Sequence, residues 1–280
     1  MGKSLILGFF DGVHAAHRAV ISSAINFSSD SLLITFKNSP AKFFNKEYEY
    51  ILPREESLKK IKTLGVKEVL ELDFDKIAKM SAQAYLDFLH DEFAPASIST
   101  GFNHTFGRNR IGNPEFLAQN QEKYGYKYFC VPPQLSDGDV ISSTLIKRLL
   151  KGGNIERANN LLETKFLLEG VVTKGTQIGE KIGFPTANIS YPEHIVKIPF
   201  GVYCVEVLGY KGVMNWGIKP TVHNVTEPVA ETHIIGFDGD LYGKTLKIEI
   251  INKIRDEQKF GNLEELKTQI NKDIETCLKL

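Results

Sequence analysis

The fold of the N-terminal half follows from residues 4–17, whose sequence is SLILGFFDGVHAAH. A short apolar segment runs into a turn framed by glycines, and a helical pattern (HRAVISSAINFS) occupies residues 17–28. This order indicates a parallel sheet with the turn at the carboxyl end of its strand, where such sheets bind ligands. Apolar strand patterns, such as SLLITF at residues 31–36, and helical patterns, such as AQAYLDFLHDEF at residues 82–93, alternate as far as residue 100. We therefore expect a doubly wound α/β domain.

The C-terminal half has a different pattern. Glycines and alternating apolar residues recur in the segments FLLEGVVTKG, GVYCVEVLGY, KGVMNWG, AETHIIGF and TLKIEIINKI. This pattern predicts an antiparallel barrel or sandwich. A helical pattern, NLEELKTQINKDIETCLKL, ends the sequence. We expect the domain boundary near residues 160 to 167, with domains at residues 1–160 and 165–280.

Composition narrows the possible functions. A length of 280 residues favours two domains, and 34 basic against 34 acidic residues give no positive field for a nucleic-acid partner. The N-terminal apolar segment is too short for a signal peptide or a membrane span, so no membrane partner is expected. Cys130, Cys204 and Cys277 are odd in number and far apart, which predicts no disulfide framework, no structural zinc and a cytoplasmic location. No oligomeric state is predicted.

The turn after the first strand is a candidate phosphate site. Its backbone N–H groups and the dipole of the following helix would point at one spot. His14 and His17 lie three residues apart, on one side of the first helical turn, where both rings can donate to phosphate oxygens. The alternative is that one histidine caps the helix and the other packs against the sheet. The candidate nucleotide-binding residues in this turn are Gly8, Phe10, Asp11 and Gly12.

A second candidate segment combines hydroxyl groups with cations. Ser142, Ser143 and Thr144 stand at a predicted helix start, and Lys147 and Arg148 follow within a turn. This arrangement would clamp a triphosphate, although such a start is also an ordinary helix cap. Between the two segments, the glycine-framed turn GFNHTFGR at residues 101–108 either lines a purine pocket or only turns the chain.

The C-terminal half contains a glycine-rich segment, GVVTKGTQIGEKIGFPTAN, at residues 170–188. Glycines let a backbone approach phosphates closely. The Thr186 hydroxyl and the Asn188 amide oxygen are hard ligands that suit Mg²⁺. The alternative is a glycine-rich hairpin with a turn initiated by proline. The candidate nucleotide-binding residues of this segment are Gly175, Lys181, Gly183 and Pro185.

These motifs together resemble one family. GFFDGVHAAH, GFNHTFG, ISSTLIKRLL, GFPTAN, MNWGIKPTV and ETHIIGFDGDLYG occur in the order seen in bacterial bifunctional riboflavin kinase/FAD synthetases. The resemblance implies an N-terminal nucleotidyltransferase that adenylylates FMN to FAD with release of pyrophosphate, and a C-terminal barrel that phosphorylates riboflavin to FMN. Both reactions would use ATP and Mg²⁺.

The resemblance also implies roles for particular residues. Asn103 and Phe106 would contact flavin, and Thr186 and Asn188 would bind the metal. Glu231 would act as the base that deprotonates the ribityl 5′-hydroxyl of riboflavin.

Four positions depart from the family pattern. Ala16 stands where the family usually has glycine between the two histidines, and Ser39 replaces a histidine often found before proline. Lys147 and Lys219 replace arginines, and a lysine cannot make a planar bidentate contact. The alternatives are therefore a riboflavin kinase with weak adenylyltransferase activity, or an inactive regulator that binds flavin or nucleotide.

Overall fold

A computed structural model of the chain describes residues 2–175, 178–220 and 226–280. The chain divides into two compact units between Leu145 and Ile146. None of the helices in these ranges combines the length and the apolar character needed to cross a membrane.

The first unit is built on a five-stranded sheet in the order β3-β2-β1-β4-β5. All four neighbouring pairs are parallel. Its strands are β1 (Ser4–Leu7), β2 (Ser31–Phe36), β3 (Glu68–Leu72), β4 (Ser97–Gly101) and β5 (Lys127–Val131). The strand order reverses between β1 and β4, so their carboxyl ends form the switch point at which such sheets bind ligands. The predicted doubly wound α/β fold is confirmed.

Helices cover both faces of this sheet. They are α1 (Ala15–Phe27), α2 (Pro40–Phe43), α3 (Arg54–Thr63), α4 (Phe74–Ile77), α5 (Ala82–Phe93) and α6 (Pro114–Tyr124). Leu5 and Leu7 of β1 pack in one apolar cluster, and Ile6 packs in another with Val20 and Ile21 of α1. Successive strand residues point to opposite faces, which explains why Leu5, Ile6 and Leu7 of β1 are all apolar. A short hairpin, β6 (Leu135–Ser136) and β7 (Asp139–Val140), precedes α7 (Ser143–Lys151).

The second unit is an antiparallel sheet of six strands in the order β8-β13-β10-β11-β12-β9. The end strands β8 and β9 approach each other, so the sheet is a nearly closed barrel. Its strands are β8 (Phe166–Val171), β9 (Ala187–Ser190), β10 (Gly201–Val207), β11 (Tyr210–Pro220), β12 (Thr226–Ile234) and β13 (Thr245–Arg255). Its further helices are α8 (Ile155–Leu162), α9 (Ile178–Lys181) and the terminal α10 (Leu263–Lys279). The predicted barrel with a terminal helix is confirmed.

The division between the compact units falls before the predicted boundary near residue 160. Helix α8 packs on β8 and β13. The Asn159 side chain accepts a hydrogen bond from the Phe166 N–H at 2.7 Å and donates to the Ile250 carbonyl oxygen at 2.9 Å. These contacts attach α8 to the barrel, and the boundary between the functional domains stays a prediction.

The expectation of no disulfide framework did not anticipate the one disulfide of the described chain. Cys204 of β10 and Cys277 of α10 form a buried disulfide with a Cα–Cα distance of 5.1 Å. They lie 73 residues apart in sequence, and only the packing of α10 on β10 and β11 brings them together. Cys130 is an exposed free thiol. The cysteines therefore do not support the prediction that the protein is located in a reducing compartment.

Candidate active sites

The turn between β1 and α1 has a strained backbone. Phe10 and Val13 have φ angles of 58° and 47°, and Gly12 lies between them at 81°. A left-handed conformation is unusual for a bulky residue and most unusual for a β-branched one, at about 1–3 kcal/mol for each residue. Such a turn persists only when surrounding groups hold it in place.

The Asp11 side chain is the first anchor. Its buried carboxylate accepts hydrogen bonds from the Tyr48 hydroxyl at 2.8 Å and from the Ile51 N–H at 2.9 Å. Burial, followed by the charge of Asp11, raises the pKa of Tyr48, so the phenol stays protonated and remains a donor. The Asp11 carbonyl oxygen accepts from the Ser143 hydroxyl at 3.2 Å. The Asp11 side chain, predicted to bind nucleotide, is thus engaged within the protein.

His14 and His17 stack on each other at the start of α1. Their ring centroids lie 3.7 Å apart with an interplanar angle of 16°, and the His17 ring contacts Phe10. His14 caps α1, because its Nδ1 accepts from the His17 N–H at 3.4 Å. The structure thus contains the helix cap that sequence reasoning kept as an alternative. The second ring packs on Phe10 and His14.

Both imidazoles are neutral at pH 7. Burial lowers the pKa of His14 to about 4, against a smaller opposing effect of a backbone hydrogen bond. Burial, and then the charge of His14, lowers the pKa of His17 well below its ordinary value. Since Nδ1 of neutral His14 accepts, its Nε2 carries the proton and can donate to a ligand. Nδ1 of His17 is buried and has no hydrogen-bond partner among the residues that the structure describes.

The hydroxyl groups at the start of α7 make two different hydrogen bonds. The Ser142 hydroxyl accepts from the Leu145 N–H at 3.2 Å, which is an ordinary helix cap. Ser143 contacts the Asp11 carbonyl oxygen, so this segment touches the strained turn. Thr144 is exposed, and Lys147 and Arg148 follow on the same helix.

The turn after β4 contains two predicted flavin contacts, Asn103 and Phe106, and one histidine, His104, that sequence reasoning missed. Phe106, predicted to contact flavin, is buried in the core against Tyr85 and His104, whereas Asn103 is exposed. Burial lowers the pKa of His104 to about 4, and its Nε2 has no hydrogen-bond partner in the described part of the chain. Its position in a glycine-framed turn after a strand could have indicated His104 as a candidate site residue. The flavin contacts stay predictions.

The barrel unit has its own candidate site beside β9. A cavity of ≈ 500 Å³ is lined by Thr186 and Asn188 together with the turn at residues 237–242. Asn188 is 4% exposed, and its Oδ1 has no hydrogen-bond partner within the described ranges. Gly175 packs against this amide so closely that an added Cβ would lie 2.5 Å from Nδ2. The glycine is therefore required for the close approach.

Glu231 lies next to Asn188 because of the strand register. The two residues are directly opposite on β12 and β9, so their side chains share a face with Cβ atoms about 5 Å apart. His233, two residues further along β12, donates from Nδ1 to the Pro185 carbonyl oxygen at 2.9 Å. Sequence reasoning missed this contact with the residue before Thr186.

Three further predicted residues belong to the glycine-rich segment. Lys181 ends α9 and is exposed, and Gly183 adopts a left-handed conformation. Pro185 also lines the cavity. Thr176, Gln177, residues 221–225 and the Lys219 side chain lie outside the described parts of the structure.

An α/β unit with hydrogen-bond donors at its switch point precedes, in one chain, a barrel in which a carboxylate lies opposite an asparagine, and this combination is typical of two-domain nucleotide-dependent transferases. Residues 1–145 match the family model for FAD synthetase, and residues 162–280 match that for riboflavin kinase. The chain belongs to the family of bifunctional riboflavin kinase/FMN adenylyltransferases.

Relatives support this membership over nearly the full length. The Bacillus subtilis bifunctional riboflavin kinase/FMN adenylyltransferase is 31% identical over 98% of this chain and 91% of its own. The enzyme of the same description from Escherichia coli K12 is 32% identical over 97% of this chain and 90% of its own. A crystal structure described as a macrolide-efflux protein from Streptococcus pneumoniae superposes with a TM-score of 0.89 at 28% identity, covering 100% of this chain and 95% of that one.

Proposed function

We propose that the protein phosphorylates riboflavin to FMN and adenylylates FMN to FAD, using ATP for both steps. We assign adenylyl transfer to residues 1–160 and riboflavin phosphorylation to residues 165–280. The observation that carries the proposal is the pairing of Glu231 with Asn188 in the barrel of a chain whose other half matches FAD synthetase. ATP consumption favours the cytoplasm as the location.

In the first reaction, an FMN phosphate oxygen attacks the α-phosphorus of ATP and pyrophosphate leaves. The proposed role of His14 and His17 is to donate hydrogen bonds to phosphate oxygens as charge builds on them. Neutral rings suit this role, because they act as fixed dipoles in a buried site and need no counter-ion. Ser143 and the backbone from Gly8 to Gly12 would hold the nucleotide beside them.

In the second reaction, the ribityl 5′-hydroxyl attacks the γ-phosphorus of ATP and ADP leaves. Glu231 takes the hydroxyl proton as the new O–P bond forms. Its position opposite Asn188 supports this role, since the base and the proposed metal ligand then share one face of the barrel.

The donor set of the barrel fits Mg²⁺. The described chain contains no cluster of three His, Cys, Asp or Glu side chains that could hold a metal. Mg²⁺ is commonly bound by only one or two protein oxygens plus phosphates and water. The buried Asn188 Oδ1, which has no hydrogen-bond partner among the described residues, and the Thr186 hydroxyl on the same cavity match this need. A metal held there would neutralise charge on the phosphates of ATP.

The test is chromatography of the products formed by the purified chain. One reaction contains riboflavin, ATP and Mg²⁺, and a parallel reaction contains FMN, ATP and Mg²⁺. We expect FMN and FAD in the first and FAD in the second. FMN alone would restrict the chain to the kinase reaction, and binding of flavin without either product would replace the proposal by the regulator alternative.

A further inference from the structure

Arg54 contacts the carboxyl ends of three neighbouring strands. Its Nε donates to Glu71 of β3 at 2.9 Å, and its Nη2 donates to the Thr35 hydroxyl of β2 at 3.1 Å. Its Nη1 donates at 3.3 Å to the carbonyl oxygen of Phe9, which follows β1. The guanidinium carbon also lies 5.7 Å from the centre of the Phe9 ring.

The Phe9 carbonyl oxygen belongs to the strained turn. Thr35 also donates to it, at 3.1 Å, so one oxygen accepts from two linked side chains. The next residue, Phe10, is the first with a left-handed backbone. Releasing the carbonyl would let the Phe9–Phe10 peptide rotate and relieve this strain, and the N–H groups of the turn would lose their alignment.

The local position of Arg54 does not favour a cation. It is the first residue of α3, where the helix dipole favours anions, and the next two residues are Glu55 and Glu56. Three of its five N–H donors are taken by protein acceptors. Its side chain is 19% exposed and is paired with Glu71, which is 30% exposed. The tertiary contacts, more than helix propensity, account for an arginine at this position.

We propose that Arg54 is a positioning residue for adenylyl transfer, which fixes the turn at residues 8–13 through the Phe9 carbonyl oxygen. This proposal rests on the proposed adenylyltransferase function of the first half. Arg54 acts through the turn and not on the reacting atoms. A lysine could reach only part of the contact set, because its ammonium lacks the planar fork that reaches three acceptors at once.

The kinetic test compares Arg54→Met with Lys62→Met, which removes an exposed cation from the same helix. A displacement of about 1 Å at a reacting group can lower a rate about 100-fold, so we expect kcat for FAD formation from FMN to fall about 10- to 100-fold in R54M. KM for ATP should change less than kcat. Arg54→Lys should recover part of the rate, and riboflavin phosphorylation by the same preparation should equal that of the wild type.

A double-mutant cycle adds a readout that lost stability alone would not move. Thr35→Val removes the second donor to the same carbonyl oxygen. If both residues act through that oxygen, the losses in kcat of R54M and T35V should be clearly less than multiplicative. Multiplicative losses, or an R54M rate within about twofold of K62M, would overturn the proposal.

Hydrogen exchange tests the tether without any activity. We expect amides in peptides covering residues 8–16 to exchange faster in R54M than in K62M, with unchanged exchange in the barrel. Equal exchange in the two variants would contradict the tether. If the wild-type chain formed no FAD, the proposed function of the first half would fail, and the exchange result would still decide whether Arg54 holds the turn.

Discussion

The two candidate sites are held in opposite ways. In the α/β unit, strained residues Phe10 and Val13 are kept in place by groups distant in sequence, which donate to the carboxylate of Asp11 and to the carbonyl oxygen of Phe9. In the barrel, the backbone at Gly175 packs directly on Asn188, and Asn188 Oδ1 has no hydrogen-bond partner in the described ranges. Protein groups fix the geometry of the first site. In the second site, Asn188 Oδ1 is available to bind the proposed cation.

The two sites also differ in the charge of their proposed functional groups. Two neutral histidines, the buried His14 and the half-buried His17, provide the proposed donors of the first site, and a strand carboxylate provides the proposed base of the second. Changes of charge should therefore affect the two activities independently.

The largest effect is expected from Glu231→Gln. General-base catalysis contributes about 10²- to 10⁴-fold, so FMN formation from riboflavin should fall about 1,000-fold. Initial rates measured by chromatography should show unchanged FAD formation from supplied FMN. Glu169→Gln, at another strand carboxylate of the barrel, is the control and should keep both rates. A loss of both activities in E231Q would show that the two sites are coupled.

The next effect is a loss of stability of the first unit in acid. His14 has a pKa of about 4 in the folded chain against an ordinary 6.5. Because the folded-state pKa is lowered, the stabilisation is complete above pH 6.5 and is lost as pH falls towards 4. At about 1.4 kcal/mol per pKa unit, His14 accounts for up to about 3 kcal/mol of the free energy of unfolding.

Denaturant titrations between pH 7 and pH 4 check this effect. Circular dichroism follows the helices, and fluorescence of Trp216, the single tryptophan of the chain, follows only the barrel. In His14→Asn, which keeps a good helix cap, the unfolding free energy of the first unit should depend less on pH. A pH dependence identical to that of the wild type would refute the assignment to His14.

Sequence patterns predicted the features that depend on residues close together in the chain, such as single strands and helices. The segment SLLITF became β2 over the same six residues, and the helical pattern of AQAYLDFLHDEF became α5. Thr186 and Asn188 share one cavity because they lie two residues apart beside a single strand. Helix α6 and strand β5 were not predicted.

Contacts between distant segments could not be read from the sequence. Tyr48 reaches Asp11 across 37 residues, and Arg54 reaches Phe9 across 45. Cys204 and Cys277 are joined only because α10 packs on the barrel. In each case the contact forms only because two elements pack together in the folded chain. The spacing of the residues in the sequence does not indicate which of them will meet.

A moderate effect is expected from Gly175→Ala. The added Cβ would lie 2.5 Å from Asn188 Nδ2, so the amide must move. A shift of this kind should lower riboflavin phosphorylation about tenfold and raise the Mg²⁺ concentration needed for half-maximal rate. The control is Gly261→Ala, where the nearest atom is the flexible Glu265 carboxylate at 3.3 Å. Equal Mg²⁺ dependence in both variants would contradict the close-approach argument.

The smallest effect is expected from Ala16→Gly, which restores the residue usual for the family between the two histidines. Ala16 lies in the first turn of α1, next to His17. If its methyl group crowds the adenine, removing it should raise FAD formation about two- to threefold, although glycine weakens a helix interior by up to about 1 kcal/mol. Ala15→Gly has a similar helix cost at the neighbouring position and should give no gain. If both variants lose activity equally, the alanine is tolerated, and the preorganised turn already accommodates the nucleotide.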